Sequence, residues 1–206
     1  FDAIEPKEQE LRQYFQKWSQ TQGLQFVGQS FENLLLKSGF QFSEIQKNLF
    51  FLQSYKSDGV IEEKDIVEAI PKTLQDNIFD LTQFILAKKI DLARDLVRDL
   101  TLQGEDEIKL IAVMLGQFRT FTQVKILSEA GQTESQIASS LGTYLGRNPN
   151  PYQIKFALRD SRGISLGFLK RAISYLIETD YQIKTGVYEK GYLFEKALLQ
   201  IAAEAN

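Results

Sequence analysis

Ser54–Asp65, SYKSDGVIEEKD, is the stretch whose residue types come nearest to a ligand-binding pattern. Asp58-Gly59-x-Ile61 matches the middle of a calcium loop of the helix–loop–helix kind, and Asp65 falls at its last ligand position. Calcium takes about six to eight oxygens. Here the first ligand position holds Ser54 and the third holds Lys56, whose ammonium repels a cation. The oxygen set is incomplete, so the stretch reads as an ordinary turn leading into a helix. Asp180 is the second odd carboxylate. The stripe Leu169, Ile173, Leu176, Ile183 places it where an apolar residue is expected. A buried carboxylate needs a partner, and Lys184, one helical turn later, is in place to supply it. Catalysis there would need a second group, and the sequence offers none.

The wider inventory points the same way. The 206 residues contain no Cys and no His. Without them the chain lacks the commonest metal ligands and the usual neutral-pH proton carrier. No phosphate loop of the form GxxxxGK[ST] and no nucleophile elbow occurs. The carboxylates show no metal-site spacing. The expectation is therefore no catalytic residue, no cofactor and no metal.

Positive charge is what remains to be used. Arg147–Arg171 holds Arg147, Lys155, Arg159, Arg162, Lys170 and Arg171 against Asp160 alone, with Tyr144, Tyr152 and Phe156 interleaved. Such a stretch suits a nucleic-acid backbone; it equally suits a solvated face or a seam against an acidic partner subunit. Ile137-Ala138-x-x-Leu141-Gly142 resembles the start of a DNA-binding helix-turn-helix, with Ile154 and Leu158 as second-helix core positions. That motif needs a turn of about 3–4 residues, whereas Gly142 to Asn150 is longer. Two collinear short helices packing together is the better reading, and a helix-turn-helix over 133–158 is the rival.

The elements that must carry these residues are helical. Pro6 to Gly23 presents Leu11, Tyr14, Phe15 and Trp18 at helical spacing. A short helix starts at Ser30, a third is capped by Ser43, and Val60–Ile70 reads as a last short helical piece before Pro71. The residues before Pro71 carry 7 basic and 11 acidic side chains, the remainder 17 and 16. Two domains are expected, 1–71 and 72–206. Beyond Pro71, Thr73 and Asp76 resemble a capping box, and Leu74, Ile78, Leu81 and Ile85 form a stripe. Asp91 is expected to cap a helix with Leu92, Leu96 and Leu100 inward. Asp106–Ala130 is apolar around most of its circumference, so it must be covered on several sides, with Lys109, Arg119 and Lys125 as polar exits. Thr133-x-x-Gln136 opens the next helix, Pro151 another, and Ser165 a long one broken by Gly186. A final helix uses Phe194, Ala197, Leu198 and Ile201, and its Ala-rich tail is expected to fray. No segment demands a strand, and none is a run of the roughly 18 apolar residues that crosses a membrane. The fold class is all-α.

The second half resembles the C-terminal part of the delta subunit of bacterial DNA polymerase III. The residues that carry the resemblance run in order: Asn77-Ile78-Phe79-Asp80-Leu81, Gly104-Glu105, Gly116-Gln117-Phe118-Arg119, Ile137-Ala138-x-x-Leu141-Gly142 and Asn150-Pro151-Tyr152. Leu176-x-Glu178-x-Asp180-x-x-Ile183-Lys184-Thr185-Gly186 and Phe194-Glu195 complete the set. The first half resembles that family's small helical lid, including Asp58-Gly59-Val60-Ile61-x-x-x-Asp65-Ile66-Val67. One departure is an insertion over Thr143–Asn148.

The resemblance implies a lid of the kind found beside AAA+ ATPase domains, followed by a larger helical-bundle collar. The collar would join other clamp-loader subunits of the tau/gamma and delta prime types. It implies a non-catalytic accessory subunit that helps load the sliding clamp, with primer–template DNA met in the full assembly. The clamp itself would be touched only through an N-terminal ATPase-like domain that these residues do not include. Phe1-Asp2-Ala3-Ile4 carries no initiator Met and no signal-peptide pattern, which suggests an excised fragment. A bacterial cytoplasmic location with no membrane partner is expected. The residues expected to meet partners or DNA are Arg119, Lys125, Arg147, Tyr152, Lys155, Arg159, Arg162, Lys184 and Tyr188. Lys184–Tyr188 is singled out because a helix-ending glycine is flanked there by a cation and a tyrosine.

Overall fold

The computed structural model describes residues 8–145 and 151–205, in which eleven helices account for nearly all regular structure. The chain divides into two compact units, Phe1–Thr73 and Leu74–Asn206.

The first unit contains α1 (Glu8–Thr21), α2 (Ser30–Lys37), α3 (Phe42–Tyr55) and α4 (Glu63–Ala69). Leu11, Phe15, Leu34, Leu35, Ile45, Leu49, Leu52 and Ile66 close its core. The expected helical piece over Val60–Ile70 is two elements. Val60–Ile61 is a short strand, β2, pairing in parallel with Gln25–Phe26, β1. Two β-branched residues beside the Gly59 turn favour extended backbone there, and the buried Ser30 hydroxyl donates to the Ile61 carbonyl at 2.9 Å. Ser43 does not cap α3; Gln41 holds that position, so Ser43 lies inside the first turn. Tyr14 is exposed rather than part of the core face of α1, its ring tilted against Phe42, while Ser19 is buried instead.

The second unit is a bundle around α7 (Glu107–Glu129). The helices α5 (Leu74–Leu86), α8 (Glu134–Leu145), α9 (Pro151–Ser161), α10 (Leu166–Lys184) and α11 (Lys190–Glu204) all pack against it. Leu110, Ile111, Met114, Phe118, Phe121 and Val124 are buried, so the apolar circumference is covered from several directions as required. One strip stays open: Ala112, Gly116, Arg119 and Ile126 are exposed. Asp106 caps α7 by accepting from the Ile108 N–H at 2.8 Å. At the other end Gly131, at φ 79°, lets the Gln132 N–H reach the Leu127 carbonyl at 3.1 Å. This is the left-handed closure that satisfies final-turn carbonyls.

The remaining helix, α6 (Ile90–Leu102), packs on α5. Its cap is Lys89 rather than Asp91, and its inward face is Ala93 and Leu100 with Leu96 and Val97 beside them. Leu92 is 47% exposed. Of the expected stripe only Leu92 leaves the core, and Ala93 lies there instead. The tail does not fray at once. Helix α11 continues to Glu204, and Ala202 and Ala205 are buried, because Arg171 and Tyr175 of α10 hold the Glu204 carboxylate.

Candidate partner and nucleic-acid interface

The turn between α10 and α11 is built by Gly186. Its φ of 70° lets the Gly186 N–H reach the Ile183 carbonyl at 3.1 Å and the Val187 N–H reach Gln182 at 3.2 Å. On the far side Glu189 caps α11, accepting from the Gly191 N–H at 2.9 Å and the Tyr192 N–H at 2.7 Å. Those two donors hold the Glu189 carboxyl below its usual range against the opposing effect of burial. Lys190 then bridges Asp106 and Glu107 at the start of α7, reaching Glu107 at 3.1 Å. The two carboxylates raise the Lys190 pKa, and Lys190, followed by the Ile108 N–H, lowers that of Asp106. Both ends of a five-residue turn are thus fixed.

What this turn displays is aromatic and mostly solvent-facing. Tyr188 is 64% exposed and meets Tyr192 edge-to-face at 6.1 Å between ring centroids. Tyr181 and Val187 are exposed as well. Lys184 closes α10 with its ammonium 2.7 Å from Asp180. Asp180 is half-buried, and the fully inward residue of that turn is Thr179. Tyr192 was not among the expected residues. It lies four positions after Tyr188, but a helix break intervenes, so its proximity is set by the turn.

Helix α9 offers the second candidate surface. Lys155 and Arg159 are exposed four residues apart, which puts them along one side of the helix, and the exposed Arg162 follows in the turn just past its end. Arg159 forks onto Asp160, 2.7 Å from Nε to Oδ1 and 3.3 Å from its terminal nitrogen to Oδ2. It also lies 5.0 Å over the Phe156 ring. The bond to Asp160 raises the Arg159 pKa, outweighing partial desolvation. Phe156 in turn touches Phe79 of α5 at 6.1 Å.

The other expected residues are dispersed. Lys125 is an internal brace: its ammonium reaches the Ser161 carbonyl and Glu129, both at 3.2 Å, and its side chain is 13% exposed. Arg119 stands on the open strip of α7. Arg147 and the Tyr152 side chain lie outside the described residues. In the calcium-loop-like stretch, Lys56 sits 3.1 Å from Asp65, which also accepts the Glu62 N–H at 2.8 Å. Burial would raise the Asp65 pKa, but Glu62, Lys56 and Lys64 together lower it. That carboxylate is committed to structure. No helix among the described residues is long and apolar enough to cross a membrane.

Residues 75–201 match the family model described as DNA polymerase III delta subunit, C-terminal domain. The chain belongs to this delta-subunit family. It is 33% identical over 160 residues to DNA polymerase III subunit delta of Bacillus subtilis, covering 78% of this chain and 44% of that protein. Its fold matches the solved structure of the Bacillus subtilis DNA clamp loader delta protein with a TM-score of 0.81 at 28% identity. That match covers 98% of this chain and 58% of the other. The chain therefore spans about half the length of these delta relatives. The expected fold, a small helical unit followed by a larger helical bundle, is the one observed.

Proposed function

We propose that the chain is a non-catalytic assembly module of a clamp loader of the DNA polymerase III holoenzyme. Residues 1–71 act as its lid and residues 72–206 as a collar that oligomerises with subunits of the tau/gamma and delta prime types. The observation that carries this reading is the structural likeness to the DNA clamp loader delta protein, which extends over 98% of this chain. Contact with the sliding clamp belongs to a domain outside these residues. The collar task is mechanical: a rigid bundle holds its outer faces at fixed positions while other subunits do the chemistry.

The fixed α10–α11 turn supports a DNA contact in the assembled loader. A tyrosine held by its neighbours loses little rotamer freedom on stacking against a base, and Lys184, whose ammonium lies 2.7 Å from Asp180, stands four residues before Tyr188 at the end of α10. Size-exclusion chromatography with the other loader subunits tests the assembly reading, which requires co-elution; separate elution refutes it. In the reassembled loader, Lys184→Ala with Tyr188→Ala should weaken primer–template binding. Undiminished binding removes the turn from the proposal.

A further inference from the structure

Three features lie outside the α10–α11 turn and have no assigned role: the exposed aromatics of α3, the groove beside Lys125, and the cationic side of α9. In the first, Phe50 packs on Trp18, and Phe51 stacks on Tyr55, whose hydroxyl meets Glu68. Nothing on that face selects an occupant. The groove, about 440 Å³ between Lys125, Glu129, Arg162 and Ser165, has its lysine already committed to Glu129 and the Ser161 carbonyl. The α9 side differs, because two of its three cations are unspent.

Lys155 and Arg162 make no ion pair among the described residues. Arg159 is held in place by Asp160 and Phe156, so its guanidinium is presented in one orientation. Asp160 is the one acid in the sequence of α9, and its side chain is 9% exposed and folded onto Arg159. Lys155 and Arg159 stand one helical turn apart on α9, about 6 Å along a helix rising about 1.5 Å per residue, and Arg162 follows in the turn just past the helix end at Ser161. Each strand of a DNA duplex carries one negative charge per roughly 3.4 Å of its axis, so a backbone laid along this turn of α9 presents about two phosphates to it. The apolar content is small, since Phe156 already spends its ring on Phe79 and Arg159. A protein hot spot needs an apolar anchor that is free to be buried. Phe156 is 40% exposed but keeps those two contacts, and clustered charge with no free apolar anchor among the described side chains favours a phosphodiester backbone over an acidic protein.

We propose that the Lys155 and Arg159 side of α9, continued by Arg162 just past the helix end, is a sequence-independent docking strip for the phosphate backbone of duplex DNA. The inference rests on charge placement in α9 and the turn after it and does not require the assembly reading. Because the whole chain has a net charge of −3, binding depends on the local placement of its cations and is weak.

Fluorescence anisotropy with labelled duplexes of unrelated sequence, titrated over a series of salt concentrations, tests it on the full 206-residue chain. About two neutralised phosphates, one each for Lys155 and Arg162, give a log–log salt slope of about −1.8. Lys155→Glu with Arg162→Glu should cut the affinity at low salt at least about tenfold and bring the slope close to zero. A neutral pair, Lys155→Gln with Arg162→Gln, should give the same slope, and circular dichroism should report an unchanged fold for both. Lys17→Glu with Lys196→Glu, an equal charge change elsewhere, should bind almost as the parent does. The proposal is overturned if the parent chain does not bind, if the slope is unmoved, or if the remote pair loses as much. Tighter binding to a single strand than to a duplex also overturns it. So does a variant that keeps DNA binding but no longer co-elutes with loader subunits, which would make the strip a protein interface. A parent chain that binds DNA yet never co-elutes would leave this proposal standing and refute the assembly reading alone.

Discussion

Thr82 Oγ1 lies 2.8 Å from the side-chain oxygen of Gln117, joining α5 to α7 at a fully buried position. The same hydroxyl lies 2.9 Å from the Ile78 carbonyl, and with one proton to give it serves both acceptors in turn. Gln117 is the polar member of the Gly116-Gln117-Phe118-Arg119 step. It is half-buried against α5, while Phe118 enters the core and Arg119 leaves it. Thr82→Val keeps the shape and removes the hydroxyl. The expected cost is about 1 kcal/mol, because Gln117 can still turn toward water. Urea denaturation should show a lowered midpoint with an unchanged m-value.

The neighbouring step separates core from surface more sharply. Phe118 is fully buried and meets Phe121 and Phe168 at 6.2 and 6.5 Å between centroids. Phe118→Ala should cost about 3–5 kcal/mol, enough to unfold a marginal bundle. Arg119→Ala should change stability by no more than about 0.5 kcal/mol. Equal losses from the two, read by denaturant titration, would contradict the placement of α7.

Gly59 has φ 69°, and a Cβ there would overlap the Gly23 carbonyl oxygen. Gly131 has φ 79° with open space around the same position. Gly131→Ala should therefore cost only the left-handed penalty, about 1–2 kcal/mol. Gly59→Ala adds an overpacking cost of about 1–3 kcal/mol and breaks the approach that lets the Gln25 N–H bond the Gly59 carbonyl at 2.8 Å. Hydrogen exchange should show protection lost across residues 8–73 in Gly59→Ala and retained beyond Leu74.

The Glu204 contacts predict a two-sided pH signature. The Tyr175 hydroxyl and then Arg171 hold Glu204 below its ordinary 4.5. Its contribution is complete above that unfolded value and is lost as pH falls through the lower folded one. Glu204 in turn raises Tyr175 above its ordinary 10.0. That contribution is complete below the ordinary value and is lost as pH rises through the higher folded one. Glu204→Gln should flatten both the acid and the alkaline limb of stability against pH. A change confined to one limb would mean that the three groups do not act together.

Much of this could be read from the chain itself. Helical spacing placed Leu34, Leu49, Ile78, Leu81, Phe118 and Leu176 inside, and all are buried. Thr133 and Gln136 cap each other as their spacing requires, with the Thr133 N–H 2.9 Å from Gln136 Oε1. The ordered motif set pointed to the delta-subunit family. These features are local or periodic, and local physics acts on neighbouring residues whatever the rest of the chain does.

What tertiary structure decided was the use of individual polar and aromatic residues. Lys125 looked like an outward exit of α7, yet its partner is the Ser161 carbonyl, 36 positions away. Tyr14 and Leu92 kept the spacing of core residues and still face solvent, because the facing helix sets which edge of a broad apolar stripe is covered. Val60 and Ile61, extended by their β-branched side chains, pair as strand with Gln25 and Phe26, which lie far off in sequence. The Ala-rich tail is held by Arg171 and Tyr175, two groups that its own composition could not announce. Periodicity says that a residue wants to be covered, whereas the identity of what covers it is a property of the packed chain.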